Sequence, residues 1–362
     1  MWLIDSLSIS FFVLNLKNPH VIMDELRLKG TMMIIQHAIL HILDTNTGSL
    51  IASQGEMALD GAGVQDYIEQ IVKKIYAGDV KKGTLTAHDY LATMLDNADF
   101  SDMTTQLASK MFDIMSGQDA IRPGDILSFL ATTDDGPLFG LIKLNFSPRY
   151  AHVVAYQDNQ MINNLVLNQA VLPAATQTVD EAILVDLTTQ QYHLLEKKYL
   201  IDGHRVAYFS EKFLAIQPET SVKENMQTIK RTVKNIADKY DDLPAHEVLA
   251  KTQEVIYDAL ESGQLDTNTI AEKVFSDNLT AKMQYQEKIA AQVIDKTIAI
   301  ENKEKYQKKY RTQKFKLDSG IEIFIPISVY QDPSKVEFVN NVNGTMSLVI
   351  KDIESVFNKF TV

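Results

Sequence analysis

Alternation of apolar and polar residues predicts strands near the start of the chain, and wider apolar spacing predicts helices after them. Apolar residues alternate with polar ones through 35–51 on either side of a polar turn at 44–48, which predicts two strands. Segments 64–76 and 103–115 instead repeat apolar residues every three or four positions, which predicts two amphipathic helices. Residues 86–89 have the composition of a helix start.

Three pairs of strand-like segments follow one another between residues 124 and 199. Each pair is separated by a short polar connection that is typical of a hairpin. No glycine-rich turn joins a strand to a helix in this block, which excludes a doubly wound nucleotide-binding sheet. We therefore predict a single antiparallel sheet from the pairs 124–133 with 138–145, 152–158 with 161–167 around Asn159-Gln160, and 181–187 with 192–199.

The chain becomes helical after Pro218 and returns to strands beyond Arg311. The apolar spacing predicts helices at 222–240, 245–262, 267–275 and from Leu279 toward Glu304. Four short strand-like segments follow, with a turn at Asn343-Gly344 and a last short helix at 351–358.

Together these elements predict the class α+β: an antiparallel sheet with helices, a helical middle segment and a small C-terminal antiparallel sheet. Because 362 residues exceed the length of a typical single domain, we predict two. The N-terminal α+β domain covers 33–217, and the C-terminal helical segment with its small β-sheet covers 218–362.

The first 32 residues fit none of these elements. The apolar run from Trp2 to Leu16 lacks the basic start and the small-residue cleavage site of a signal peptide. It is also shorter than the ~20 apolar residues that span a membrane. The codons for Lys29-Gly30-Thr31 can form a purine-rich ribosome-binding sequence, which would lie directly upstream of the codons for Met32 and Met33. We therefore expect translation to begin at one of these methionines, with residues 1–32 a wrongly assigned or disordered extension.

Composition and charge narrow the class of protein. Cysteine is absent, which excludes disulfides, thiolate zinc sites and cysteine nucleophiles and fits a reducing cytosol. The net charge is −12, and residues 33–217 have 12 lysines and arginines against 22 acids, whereas residues 218–316 have 17 against 16. A protein that coats DNA needs broad positive charge, so any contact of this chain with DNA must be local.

The most basic stretch is ENKEKYQKKYRTQKFK at residues 301–316. Its cations are typical of a patch that follows DNA phosphates, and three to four residue spacing places several of them and Thr312 on one side of a helix. The alternative is a solvated helix end or connector whose tyrosines pack on the core. The stretch contains only two acidic residues. The candidate DNA-binding residues are Lys303, Lys305, Lys308, Lys309, Arg311, Lys314 and Lys316.

A second set of cations shares one face of the predicted helix 222–240. Nearby acids dilute its charge, which favours an ordinary solvated helix face. The set comprises Lys223, Lys230, Arg231 and Lys234.

Four segments of the chain resemble the bacterial nucleoid-associated family of the NdpA (YejK) type. They are IIQHAILHILD, GDILSFLATTDDGPLFGLIKLN, ILVDLTTQQYHLLEKKYLIDGHRVAYFSEKFLAI and SGIEIFIPISVYQDPSKVEFVNNVNGTMSLVI. Asp186-Leu187, Arg205 and Tyr208-Phe209-Ser210 in the third segment match the family's spacing best. The resemblance, from about Ile34 to Asn358, implies association with the nucleoid, binding to double-stranded DNA and contact with type II topoisomerases. It brings no catalytic residues and no cofactor.

Two other kinds of site have weaker signals. Asp186, Glu196 and Lys198 have the spacing of a magnesium-dependent nuclease, in which two carboxylates hold the metal and a lysine assists the attacking water. His37 and His41 share a strand face, as a metal-binding pair does, although no third ligand with fixed spacing accompanies them. Phosphate-binding-loop, zincin and hydrolase motifs are absent from the sequence.

We therefore expect a non-catalytic cytoplasmic protein of the bacterial nucleoid that binds double-stranded DNA locally, with no membrane contact and with self-association into a homo-oligomer. The alternative is an adaptor that reaches DNA only through a protein partner, which the acidic N-terminal part favours. A magnesium-dependent nuclease is a remote alternative.

Overall fold

The structure is a computed structural model that describes residues 33–61, 63–240, 242–292, 294 and 296–357; the predicted extension, residues 1–32, lies outside the described residues. The strands in chain order are β1 (Met33–Asp44), β2 (Ser49–Ile51), β3 (Lys81–Thr84), β4 (Gly124–Thr133), β5 (Gly136–Asn145), β6 (Ser147–Gln157), β7 (Gln160–Val171), β8 (Glu181–Asp186), β9 (Gln191–Leu195), β10 (Tyr199–Ile201), β11 (His204–Val206), β12 (Gln264–Asp266), β13 (Thr297–Ala299), β14 (Thr312–Lys316), β15 (Glu322–Pro326), β16 (Val336–Asn340) and β17 (Met346–Ile350).

The helices in chain order are α1 (Val64–Tyr76), α2 (Tyr90–Asn97), α3 (Phe100–Met115), α4 (Val222–Ala237), α5 (Ala245–Ser262), α6 (Thr267–Val274), α7 (Leu279–Ala291), α8 (Lys303–Tyr310) and α9 (Ile327–Tyr330). A π-helical turn at Phe209–Leu214 lies between β11 and α4.

Seven strands form one antiparallel sheet in the order β2-β1-β4-β5-β8-β9-β3. The predicted α+β class and its antiparallel sheet are therefore confirmed. The edge strand β3 was not predicted, because it is short and its residues KKGT have no apolar alternation.

Helices cover both faces of this sheet. On one face α1 packs through Ile68, Ile71, Val72 and Ile75, whose spacing places them on one side of the helix. On the other face α2, α3 and the π-helical turn form a second core. The central strands β4 and β5 are buried along most of their length, which explains their nearly continuous apolar sequences.

The middle hairpin of the predicted sheet is not part of that sheet. Among the described strands, β6 and β7 pair only with each other and form a separate two-stranded ribbon, because β8 takes the position beside β5. The turn is also one residue earlier than predicted. Asp158 and Asn159 have φ angles of 50° and 62°, as in a tight hairpin turn of the type I′ class.

A separate core joins the helices α4 to α8. The predicted long helix from Leu279 toward Glu304 is wrong, since α7 ends at Ala291 and β13 pairs with β12. Ile298 is buried in this short ladder, whereas Thr297 and Ala299 on either side of it are exposed, which is strand periodicity. The domain boundary between residues 217 and 218 stays a prediction.

Two hairpins follow the helices at the C-terminal end. β14 pairs with β15, and β16 pairs with β17 around a turn in which Gly344 has a φ of 80°. The small C-terminal antiparallel sheet is thus confirmed. The rings of Phe315 on β14, Tyr330 on α9 and Phe338 on β16 pack together. The predicted helix at 351–358 is wrong for 351–357, which is irregular, and residue 358 lies outside the described residues.

Candidate nucleic-acid interface

The carboxylate of Asp79, just beyond α1, connects three helices. It accepts hydrogen bonds from Ser221 Oγ at 2.6 Å, from the backbone N–H of Lys223 at 3.1 Å and from Tyr306 Oη at 2.8 Å. Ser221 and Lys223 begin α4, where the helix dipole favours a negative charge. Asp79 therefore holds the start of α4 and the middle of α8 against the end of α1.

Ion pairs support the same junction between the sheet and the helices. Lys81 Nζ on β3 lies 3.6 Å from Glu224 Oε1 in the first turn of α4. Lys82, the next residue of β3, pairs with Glu301 just before α8. The unpredicted strand β3 is thus the part of the sheet that positions α4 and α8.

The sequence of α4 gives it one apolar and one basic face. It begins with a capping box, in which Ser221 Oγ accepts from the Glu224 N–H and Glu224 Oε2 accepts from the Ser221 N–H. Lys223, Lys230 and Lys234 lie seven and four residues apart on the exposed side. The opposite side is buried in the helical core through Met226, Ile229, Val233, Ile236 and Ala237.

The short helix α8 depends on its surroundings, because eight mostly polar residues do not form a stable helix alone. Asn302 caps its start by accepting from the Lys305 N–H at 3.2 Å. Tyr306 is buried, and its ring stacks on Tyr310 with centroids 6.4 Å apart. Burial, and then the hydrogen bond to Asp79, raise the pKa of Tyr306.

The basic faces of α4 and α8 adjoin each other, and we call Lys223, Lys230, Lys305 and Lys309 the cationic ridge. Burial lowers the pKa of Lys309, and the charge of Lys223 lowers it further; Asp79 opposes the shift, and Lys230 adds to it. Burial also lowers the pKa of Lys305, with Asp79 opposing and Lys223 and Lys309 adding to the effect. The cations of two basic segments that are about 80 residues apart in sequence therefore contribute to one positively charged surface.

The seven predicted residues are divided between α8, its C-terminal end and β14. Lys303 and Lys305 contact backbone carbonyls, with Nζ 3.3 Å from the oxygens of Glu261 and Ala77 respectively. Thr312, which we predicted on the same helix, begins β14 instead because α8 ends at Tyr310. The other five are exposed: Lys308, Lys309, Arg311, Lys314 and Lys316.

None of these five forms an ion pair with a carboxylate within the part of the chain that the structure describes. The same holds for Lys223 and Lys230 on α4. Their charges are consequently available to an external anion. The spacing of Lys223 and Lys230 was visible in the sequence, but their proximity to Lys309 was not.

A groove of about 1100 Å³ separates the sheet from the helices on another part of this junction. Seven carboxylates and only three lysines line it, so its potential repels phosphate. The carboxylates belong to Glu69, Asp79, Asp135, Asp186, Glu219, Glu301 and Glu304, and the lysines are Lys73, Lys82 and Lys303.

The residues of the nuclease alternative do not form a site. Asp186 ends β8 at the turn of the β8–β9 hairpin, whereas Glu196 follows β9 at its other end, about 17 Å away by strand geometry. The Asp186 carboxylate accepts from the backbone N–H groups of Thr188 and Thr189 in its own turn. Two carboxylates so far apart cannot share a magnesium ion, so this assignment is wrong.

Glu196 instead has a structural role. Its side chain is 1% exposed and its Oε1 lies 2.8 Å from Lys81 Nζ. It also accepts hydrogen bonds from the N–H and Oγ of Ser210 in the π-helical turn. Lys198, the third residue of the nuclease pattern, lies 3.5 Å from Glu224.

The two histidines of β1 also have protein partners. His37 Nδ1 lies 2.9 Å from Glu56 Oε2, and the Ser53 N–H donates to His41 Nδ1 at 3.0 Å. Burial lowers the pKa of His41. Among the described residues no group of three or more histidines and carboxylates could hold a metal ion. In the same residues no helix is long and apolar enough to cross a membrane.

The structure is thus an α+β protein, as the apolar patterns predicted, with a local basic surface on α4 and α8. The family model described as nucleoid-associated protein YejK matches residues 39–358 of the chain. The chain therefore belongs to this family, as the resemblance predicted. A search of curated proteins gave no match.

Proposed function

We propose that this nucleoid-associated protein binds double-stranded DNA directly, through the cationic ridge and the exposed cations beside it. The observation that carries the proposal is that the Asp79 carboxylate binds both the start of α4 and the middle of α8, because this brings the basic faces of the two helices together on a chain whose net charge is −12. Phosphates lie close together along the DNA backbone, and a cluster of cations displaces their counterions on binding. The contact reads the backbone and carries no sequence preference of its own.

The lowered pKa values of Lys305 and Lys309 support the same proposal. Part of each shift comes from repulsion between neighbouring ammonium groups, which a bound polyanion relieves. DNA binding should therefore raise both pKa values. The exposed residues Lys308, Arg311 and Lys314 extend the contact beyond the ridge.

The proposed setting of this activity is the cytoplasmic nucleoid of a bacterium, and the role is binding without catalysis. Acidic surfaces outside the ridge keep the DNA contact small. A type II topoisomerase is the proposed protein partner, because an enzyme that itself binds DNA presents basic surfaces to an acidic protein.

A second candidate function is favoured by the acidic groove. With seven carboxylates against three lysines, the groove is suited to a basic segment of another protein. In this function the chain is an adaptor that reaches DNA only through that partner. The two functions differ in whether the purified chain binds DNA alone.

Fluorescence anisotropy of labelled duplex DNA, titrated with the purified chain at low salt, tests the proposal. Direct binding predicts saturable binding by the wild type and a loss of about tenfold in the variant Lys230→Ala/Lys309→Ala, which removes two phosphate contacts. The matched control is Lys212→Ala/Lys273→Ala, which removes the same charge from exposed sites on the π-helical turn and α6. Absence of wild-type binding at every salt concentration favours the adaptor.

A further inference from the structure

The ribbon formed by β6 and β7, residues 147–171, projects from the sheet with nearly all its side chains exposed, and we call it the arm. Its base is anchored in the body of the protein. Phe146 is buried and its N–H donates to the carbonyl of Pro123, and Tyr67 Oη donates to the carbonyl of Pro173. The exposed ribbon therefore extends from an anchored base.

On one side of the arm, each of the four residue pairs across the ladder includes at least one large apolar side chain, and His152 and Asn163 are the polar members. Residues that are paired across the ladder point to the same side, and the side alternates along each strand. The rows on this side are Tyr150 with Leu167, His152 with Leu165, Val154 with Asn163, and Tyr156 with Met161. Tyr150 is 72% exposed, Tyr156 79% and Leu165 76%. We call this side the apolar face.

An arm of this kind is not stable in water by its own interactions. A two-stranded hairpin without packing is marginal at best, and large exposed apolar patches mark interaction surfaces. Within the part of the chain that the structure describes, no other strand pairs with the outer edges of β6 and β7. The arm therefore requires a partner surface.

DNA does not fit this surface. Arg149 near the base and Asp158 at the turn are its charged residues apart from His152, so the arm has no net positive charge. A ligand for the arm must instead be apolar and nearly uncharged. The arm itself has these properties.

We propose that the apolar face of the arm binds the apolar face of a second copy of this chain, which forms a homodimer. A two-fold axis through the middle of the interface places the row of Tyr150 in one copy on the row of Tyr156 in the other copy. It also places the row of His152 on the row of Val154, so each contact occurs twice, as an isologous interface requires. The large aromatic rows then lie at both ends and the smaller rows in the centre.

The size of the face agrees with a dimer. Its six large apolar side chains expose on the order of 700 Å² per copy, close to the ~800 Å² that each partner contributes to a standard interface.

The charge distribution of the protein also agrees with a dimer. The strands are about 36 Å long, which exceeds the ~8–10 Å screening length at physiological salt. The uncharged arm thus lets two acidic bodies associate without close contact between them.

Sedimentation equilibrium of the full chain at micromolar concentrations tests the dimer. The wild type should have twice the monomer mass of 40.8 kDa. Substitution of two residues of the apolar face, Tyr156→Ser/Leu165→Asn, should make the protein monomeric. The control Val153→Thr/Val166→Thr changes two exposed residues on the opposite side of the arm and should leave the dimer intact.

Hydrogen–deuterium exchange provides a readout that does not depend on the variants. Amides of 147–171 should become more protected as the wild-type concentration rises, whereas amides of α1 should not change. Circular dichroism verifies that each variant keeps the wild-type secondary structure. A wild type that is monomeric at all concentrations overturns the proposal, as does dimerisation of Tyr156→Ser/Leu165→Asn or loss of the dimer in the control. A monomeric wild type whose arm becomes protected only with DNA or another protein also overturns it.

Discussion

Replacement of Asp79 by alanine tests how the helices of the candidate interface are held in place. The substitution removes the acceptor for Ser221 Oγ, the Lys223 N–H and Tyr306 Oη. It leaves the apolar contacts of all three helices unchanged. The loss should therefore be confined to the junction between the sheet and the helices.

The magnitude follows from these three bonds. A hydrogen bond to a charged group contributes about 1.5–3 kcal/mol, but solvent reaches the half-buried Asp79 and reduces this value. Tyr306 is 5% exposed, so its hydroxyl loses its partner in a site with little water. Ser221 Oγ keeps its bond from the Glu224 N–H, which limits the damage at the start of α4. We expect a loss of about 3 kcal/mol in the free energy of unfolding.

Urea unfolding followed by circular dichroism measures this loss, and hydrogen–deuterium exchange locates it. Exchange should accelerate in the first turn of α4 and in α8, and should stay unchanged in α3. The control Asp238→Ala removes an exposed ion pair with Lys234 on α4 and should cost less than about 0.5 kcal/mol. If Asp79→Ala is no more destabilising than this control, or if its exchange changes lie elsewhere, Asp79 does not hold the junction.

Four further substitutions test the body of the fold. In Gly140→Ala the new Cβ would lie 2.1 Å from the Phe129 ring on the neighbouring strand, and calorimetry should show a loss of about 3 kcal/mol. Burial raises the pKa of Asp125 to about 7 from its ordinary 3.8, so the folded state loses stability as pH rises through this interval. In urea titrations Asp125→Asn should therefore stabilise the protein by roughly 2–4 kcal/mol at pH 8 and have little effect at pH 4. Lys143 and Glu181 are a buried pair, and burial lowers the pKa of Lys143 to about 8. In urea unfolding Lys143→Met should cost about 3–5 kcal/mol, and the double variant with Glu181→Gln should recover part of that loss.

Much of the fold could be predicted from local patterns in the sequence. The strands β4, β5 and β8 and the helices α1, α3 and α4 have a clear apolar period, and each is present in the structure. Predictions failed where a partner distant in sequence decides the structure. β13 is a strand because β12 lies beside it, and the arm leaves the sheet because β8 pairs with β5.

The candidate interface was predictable only in part, for the same reason. Local charge density identified the cations of α8 and β14. The sequence could not show that Lys223 and Lys230 lie near Lys309, because this proximity depends on the hydrogen bonds of Asp79. Nor could it show that Lys303 and Lys305 contact backbone carbonyls. A charge pattern therefore identified the segment, and tertiary contacts determine which of its cations face solvent.

The salt dependence of DNA affinity is the decisive measurement of direct binding through the cationic ridge. The logarithm of the binding constant should fall linearly with the logarithm of the salt concentration, with a slope of about −0.9 for each phosphate that the protein neutralises. The slope of Lys230→Ala/Lys309→Ala should be less negative than that of the wild type by about 1.8, and that of Lys212→Ala/Lys273→Ala should be unchanged. Equal slopes for the wild type and the ridge variant would contradict direct binding through the cationic ridge.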